Sequence, residues 1–270
     1  MQICKITHKF ILIFIILLSN FLQAQNSDKK AVTIKVLTFN IFHGATLKGD
    51  YNFDVIANII NKLSPDLVAL QEVDYKTNRI NKKDLALELA VKTDMIPLFG
   101  KAFNFDNGEY GVAILSRTSI ISSRNIALPN IKNNEPRTAL EVKTILTNQD
   151  TITFISTHLD HKTDSLRIIQ VEKLNKTFGN NKYPTILAGD FNALPESNEI
   201  KLLKEKWGIT SKNNSEPTFP SKNPIKKIDY ITLLKNISNW KILKTEVIQD
   251  SVASDHCAFY AEMELLPFQK

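Results

Sequence analysis

The stretch Tyr183-Pro184-Thr185-Ile186-Leu187-Ala188-Gly189-Asp190-Phe191-Asn192-Ala193 decides how this chain folds. Its first half, residues 183–188, is a short apolar run of the kind a strand shows when both faces are covered. Its second half sets a carboxylate and a carboxamide, Asp190 and Asn192, just beyond that strand. Loops at strand carboxyl ends converge on one edge of an α/β sheet, which is where ligands bind. Alone, the pair reads equally well as a turn whose Asx side chains bond their own backbone. Recurrence separates the two readings.

The arrangement recurs in both directions. Upstream, Asn40 follows Leu37-Thr38-Phe39, Glu72 follows Leu70-Gln71, and His158 follows Ser156-Thr157. Downstream come Asp229-Tyr230 and Ser254-Asp255-His256. Each cluster singly has an ordinary explanation as a turn former, a solvated carboxylate or a surface pair. Six along one chain do not. Asp255-His256 precedes its strand, so it reaches the common edge if that strand runs antiparallel to the others.

The segments between these clusters alternate in type. Residues 32–41 read as a strand, with Val32, Ile34 and Val36 on one face and Leu37, Phe39 and Ile41 on the other. Phe53, Ile56, Ile60 and Leu63 recur at helical spacing before Ser64-Pro65, and 67–70 is a covered strand. A helix over 83–92 carries Leu85 and Leu89 one turn apart. Segments 111–115, 119–128, 137–145 and 151–157 read as extended. Thr163-Asp164 starts a helix with Ile168, Val171, Leu174 and Phe178 in one stripe, closed by Gly179. Extended segments near 228–234, 240–247 and 257–265 complete the chain, and the lysine-bearing 213–227 reads as a loop.

Composition fits one domain. With 270 residues, 43% hydrophobic and 23% charged, the chain can bury a sizeable core and is not disordered. No fixed repeat marks a solenoid or propeller. Lys5 and Lys9 precede an unbroken apolar run over 10–18, and Leu22-Gln23-Ala24 offers a small residue for cleavage. That is a signal peptide over 1–24, too short for a bilayer span of about 20 residues. Losing 24 residues and two lysines leaves 246 residues with a net charge of +4 in place of +6. Residues 25–270 are expected to form a single exported domain, periplasmic or extracellular, without a membrane anchor. Only Cys257 remains in it, so no internal disulfide is expected.

The residue types point to one chemistry. Carboxylates and amides with a few histidines suit a hard divalent cation, Mg²⁺ first, with Mn²⁺ or Ca²⁺ as alternatives. The chain has no His-Glu-x-x-His helix, no Cys-x-x-Cys pair and no Gly-x-Ser-x-Gly elbow. It also lacks a P-loop and a dinucleotide fingerprint. Zinc proteases, the usual esterases and those nucleotide enzymes therefore drop out.

The ordered set Asn40, Gln71-Glu72, Ser156-Thr157-His158-Leu159, Gly189-Asp190-Phe191-Asn192, Asp229-Tyr230 and Ser254-Asp255-His256 resembles the endonuclease/exonuclease/phosphatase superfamily. Tyr110-Gly111-Val112-Ala113-Ile114-Leu115-Ser116-Arg117, Glu135-Pro136-Arg137 and Thr157-His158-Leu159-Asp160-His161 resemble its bacterial metal-dependent hydrolase branch. The resemblance covers essentially the whole chain after the signal peptide. It implies a four-layer α/β/β/α sandwich, two packed mixed β-sheets flanked by helices. It also implies roles. Glu72 is the principal metal carboxylate, with Asn40 and Asp255 as direct or water-mediated ligands. Asp190 and Asn192 position and deprotonate the attacking water, or hold a second metal. His256, oriented by Asp229, faces the scissile phosphate. His158 stabilises the phosphorane oxygens or assists the leaving group. The family leaves open which group is the base and whether one or two metals act. Arg79 and Arg137 are candidate phosphate contacts, the alternative being pairing with structural carboxylates. His43 and His161 adjoin motif residues and are expected to line the pocket.

The function expected on this basis is metal-dependent phosphoester hydrolysis, a phosphodiesterase first, by in-line attack of an activated water. A secreted nuclease acting on DNA or RNA is the alternative. The basic excess is small, however, and no basic stripe interleaved with aromatics marks a strand-tracking groove. No stable nucleic-acid partner is therefore implied, and a monomer is expected. A phospholipase would show an exposed apolar hairpin or amphipathic helix for docking, and none stands out. A small soluble phosphodiester or a sugar phosphate remains open. A non-catalytic binding protein on the same fold would lack one of Glu72, His158, Asp190 or His256, and all four are present.

Overall fold

The two faces read along the first strand face two different cores. The computed structural model describes residues 30–211, 216–235 and 239–267, so the signal peptide expected over 1–24 lies outside the described residues. The first half of the chain runs β1 (Val32–Asn40), a 3-10 turn (Phe42–Gly44), α1 (Phe53–Leu63), β2 (Leu67–Tyr75), α2 (Leu85–Thr93), β3 (Ile96–Phe105), β4 (Gly108–Ser116) and β5 (Ser119–Ala127). It continues through β6 (Thr138–Ile145), β7 (Thr151–His158), α3 (Asp164–Phe178), β8 (Thr185–Asp190), α4 (Asn198–Lys204), β9 (Trp207–Ile209), β10 (Asp229–Leu234), β11 (Asn239–Ile248) and β12 (Ala258–Leu266).

These strands form two six-stranded mixed sheets, ordered β11-β12-β1-β2-β4-β3 and β5-β6-β7-β8-β10-β9. Ile34 and Val36 of β1 pack between the sheets with Ala69, Phe154, Ile186 and Phe259. Leu37 and Phe39 point the other way, onto α1 and α2 through Ile56, Ile60 and Leu89. On the far side, Ile155 and Leu187 meet Val171, Leu174 and Phe178 of α3. Helix, sheet, sheet and helix make the four layers expected.

Each sheet holds one parallel pair, β1 with β2 and β7 with β8. A parallel pair needs a crossover, and α1 and α3 supply them on the outer faces. The carboxyl ends of both pairs are therefore left open at one end of the sandwich. β12 runs antiparallel to β1, so Asp255-His256, just ahead of it, arrives at that end as expected. Among the described residues no helix is long and apolar enough to cross a membrane.

Several local readings are corrected. β2 continues past Leu70 to Tyr75 through a bulge between Gln71 and Val73. Asp229 opens β10 instead of following a strand, and reaches the common end because β10 is antiparallel to β8. Leu166, not Ile168, is buried in α3. β3 was not legible because it is a half-exposed edge strand interrupted by Pro97 and Gly100. β9 and α4, three and seven residues long, are too short to show a period.

Candidate active site

Strand parity builds the site. The inward series Ile34, Val36 continues to Thr38 and Asn40; Ile152, Phe154 continues to Ser156 and His158; Ile186, Ala188 continues to Asp190. β10 runs the other way, from Asp229 into Ile231 and Leu233. Each series turns polar at the same end of the inter-sheet layer. The register sets His158, Asp190 and Asp229 abreast on three neighbouring strands. Beneath them Gln71 accepts from Thr38 Oγ1 at 3.3 Å and donates to Ser156 Oγ at 3.4 Å, tying the two sheets together where the apolar core stops.

Two backbone features aim the groups. Glu72 sits at the β2 bulge with φ 57°, which swings its carboxylate out of the ladder into the cavity. A left-handed non-glycine residue at a bulge is strained and is held by its surroundings. Gly189 lets β7 and β8 approach: a Cβ there would lie 2.0 Å from the Thr157 carbonyl oxygen.

Asp190 Oδ2 is the hub. It accepts from Asn40 Nδ2 at 3.1 Å, and His158 Nε2 and His256 Nε2 lie 3.5 and 3.7 Å away. Its Oδ1 accepts the Asn192 backbone N–H at 2.8 Å. Burial, then the Asp229 charge, raises the Asp190 pKa. His256 donates from Nδ1 to Asp229 Oδ2 at 2.9 Å. Burial works against its charge, but Asp229 and then Asp190 outweigh it, so the imidazolium is favoured.

Glu72 and Asp255 lie beside this hub and line the cavity. Burial opposes the Glu72 charge, yet the His43 contact, His158 and the Asn40 amide hold its pKa down at about 2. Asn40 donates from Nδ2 to Glu72 Oε1 at 3.1 Å, while its Oδ1 accepts the Phe42 N–H at 3.1 Å. The amide thus faces the carboxylates with its nitrogen, so direct metal ligation by Asn40 requires it to turn. The Asp255 carboxyl is raised, by burial first, and Glu72 adds to the rise. Two carboxylates that repel across a cavity form a donor set that a hard divalent cation relieves. Asp190, Asp229 and His256 form a second cluster, with ligand atoms within 4.8 Å of one another. There the His256 imidazolium already offsets one of the two carboxylates, which makes the Glu72 side the better fit for a cation.

On the other wall, Arg137 Nη1 donates to His158 Nδ1 at 3.3 Å and Nη2 to His161 Nδ1 at 3.0 Å. Burial first and Arg137 second hold the His158 pKa well below its ordinary value. Asn192 Nδ2 lies 3.1 Å from His158 Nε2. Arg79 lines the cavity, but its fork is spent on the buried Asp74 through two bonds of 2.6 Å. The two donors that form its carboxylate-matching edge are taken by Asp74, so the structural pairing dominates at Arg79.

The cavity measures about 410 Å³. All ten residues singled out from the sequence gather around it, eight on its lining, with Asn40 and Asp229 buried beneath. His43 and His161 line it as expected. Sequence reasoning missed the aromatic side formed by Phe103, Phe105 and Tyr110, with Arg79 lying 4.7 Å over the Phe105 ring. Phe103 and Phe105 belong to the overlooked β3. The phenylalanine alternation in Phe103-Asn104-Phe105 was the available signal.

Comparison with known proteins agrees with this geometry. Residues 37–256 match the model of the Endonuclease/Exonuclease/phosphatase family. An endonuclease/exonuclease/phosphatase from Bacteroides vulgatus is 18% identical with a TM-score of 0.72, covering 87% of this chain and 99% of its own. The mannosyl-6-phosphatase Bt3783 of Bacteroides thetaiotaomicron is 18% identical, with a TM-score of 0.67 and coverage of 85% and 99%. The human Nocturnin catalytic domain, solved with bound sulfate, is 20% identical, with a TM-score of 0.68 and coverage of 87% and 97%. No curated protein matches in sequence. The match spans every cluster from the first strand to His256, and the strands deliver those clusters to one cavity. The chain belongs to the endonuclease/exonuclease/phosphatase family of phosphoester hydrolases.

Proposed function

We propose that the chain is an exported, divalent-metal-dependent phosphodiesterase that acts as a monomer and cleaves its ester by in-line attack of an activated water. The observation that carries this reading is the pairing of two electrostatic halves around one cavity. Carboxylates 72 and 255 face it from one side, and the Asp229–His256–Asp190 chain faces it from another. A phosphodiester anion repels a nucleophile, so catalysis needs cationic compensation and a positioned water.

A bound Mg²⁺, held by Glu72 and Asp255, supplies charge neutralisation for the phosphoryl group. The chain's own residues do the rest. Asp190, its pKa raised by burial, is suited to take a proton from water close to neutral pH. Asn192 orients that water through its amide. His256, kept charged by Asp229, offers its Nε2 proton to the phosphoryl oxygens. His158 donates on the opposite side. Export rests on the basic-apolar-small pattern of residues 1–24, and N-terminal sequencing of the cell-free or periplasmic protein tests it.

A monoesterase for a ring-bearing phosphate, such as a sugar phosphate, is the second reading. It is favoured by the aromatic side of the cavity and by the named activity of the Bacteroides thetaiotaomicron neighbour. A nuclease of DNA or RNA comes after these. Hydrolysis of bis-p-nitrophenyl phosphate and p-nitrophenyl phosphate with Mg²⁺, beside Glu72→Ala, decides among them. Diester turnover lost in the variant supports the first reading, and monoester preference supports the second. No turnover of either ester supports a binding protein.

A further inference from the structure

Arg137 is 3% exposed, and each of its two terminal nitrogens meets a different histidine. A guanidinium is permanently protonated and has no lone pair to offer. The contacts at 3.3 Å to His158 Nδ1 and 3.0 Å to His161 Nδ1 are hydrogen bonds only if both Nδ1 atoms accept. A neutral imidazole that accepts at Nδ1 carries its proton at Nε2. An imidazolium would set N–H against N–H. Glu135 Oε2, 3.1 Å from Nη2, holds the outer side of the fork.

Asn192 competes for His158 from the other side, with Nδ2 at 3.1 Å from Nε2. One imidazole has only one lone pair to share between the two donors. The charged guanidinium makes the stronger bond, and Asn192 Nδ2 already has the Leu159 carbonyl at 3.1 Å. The His158 Nε2 proton then faces Asp190 Oδ2 at 3.5 Å.

We propose that Arg137 is a positioning residue that locks His158 and His161 as a pair of Nε2–H donors, and that His161 is a second phosphoryl-oxygen contact beside His158. Neither histidine is the base in this arrangement, because Nε2 of each, the nitrogen turned away from Arg137, already carries its proton. This reassigns Arg137 from phosphate contact to the control of two donors. The tautomers stand on geometry alone, while the phosphoryl contact rests on the phosphoesterase reading above.

Long-range proton–nitrogen NMR of the Mg²⁺-loaded chain, labelled with ¹⁵N-histidine, reads the tautomers directly. His158 and His161 are both expected to show a protonated Nε2 and a bare Nδ1. A proton on Nδ1 of either one overturns the clamp. Arg137→Gln, where it folds, is expected to let both rings exchange between tautomers. Unchanged tautomers in that folded variant also overturn the clamp. In diester hydrolysis, His161→Asn should lower kcat by about 100-fold with little change in KM. His161→Gln, which keeps an amide nitrogen near the Nε2 position, should lose much less. Equal activities of the two variants overturn the His161 contact. Correct tautomers in a chain that hydrolyses no phosphoester uphold the clamp, and overturn the phosphoryl contact together with the phosphoesterase reading.

Discussion

Replacing Asp229 with Asn probes the site at its most buried point. Asp229 is fully buried, and its Oδ2 accepts the His256 Nδ1 proton at 2.9 Å. At an effective dielectric constant of about 20, unit charges 2.9 Å apart attract by about 6 kcal/mol. Desolvation of the pair consumes part of that. Burial alone would lower the His256 pKa, but Asp229 and Asp190 lift it to about 10. The folded chain therefore binds this proton more tightly than the unfolded chain, where an imidazole titrates near about 6.5. The resulting stability is complete below about pH 6.5 and is lost as pH rises through about 10.

Asparagine keeps the shape and removes the charge. It either sets an N–H against Nδ1 or leaves an amide nitrogen where Asp229 Oδ1 now has no partner, at a cost of about 1–3 kcal/mol. We expect kcat on the diester to fall by about 10²- to 10⁴-fold. Urea unfolding should show the variant less stable at neutral pH, with the gap to wild type closing in alkali. An unchanged kcat, together with a stability gap that does not vary with pH, refutes the reasoning.

Three further substitutions test separate links. Glu72→Gln should lower metal affinity and kcat together by at least about 100-fold, as read by calorimetric metal titration beside kinetics. Because the Glu72 pKa is held at about 2, its charge stabilises the fold above the ordinary carboxylate range and is lost only as pH falls through about 2. Arg79→Ala should cost about 3 kcal/mol in urea unfolding by leaving the Asp74 carboxylate buried without a counter-ion. A rise in KM with unchanged stability would instead restore Arg79 as a phosphate contact. Gly189→Ala puts a Cβ 2.0 Å from the Thr157 carbonyl oxygen. It should destabilise by about 3 kcal/mol and depress kcat by spreading His158 from Asp190. Retention of both wild-type stability and rate would show that the strands yield there.

Cys257 is buried, and its pKa is pushed up to about 11 by burial and then Asp229. Such a thiol is expected to resist alkylation in the folded chain, and mass spectrometry after iodoacetamide treatment checks it.

The sequence by itself determined which residues meet. Alternation along Ile34, Val36, Thr38, Asn40 and along Ile186, Ala188, Asp190 fixes the face each side chain takes, because a strand has a period of two. An apolar series that turns polar at its end places that end at a sheet edge, so the gathering of Asn40, His158 and Asp190 at one cavity was legible in the sequence. Long elements with clear periods were legible for the same reason, and β3, β9 and α4 were not, being interrupted or short.

Only the tertiary structure decided what each polar group bonds. Arg79 and Arg137 look alike in the sequence, yet one closes its fork on Asp74 five residues away and the other divides it between two histidines more than twenty residues downstream. The aromatic side of the cavity and the direction in which Asn40 turns its amide were likewise settled by packing. Hydrogen bonding depends on distance and angle to within tenths of an ångström, and spacing along a chain does not carry that information, whether the partners are five residues apart or on neighbouring strands of a hairpin.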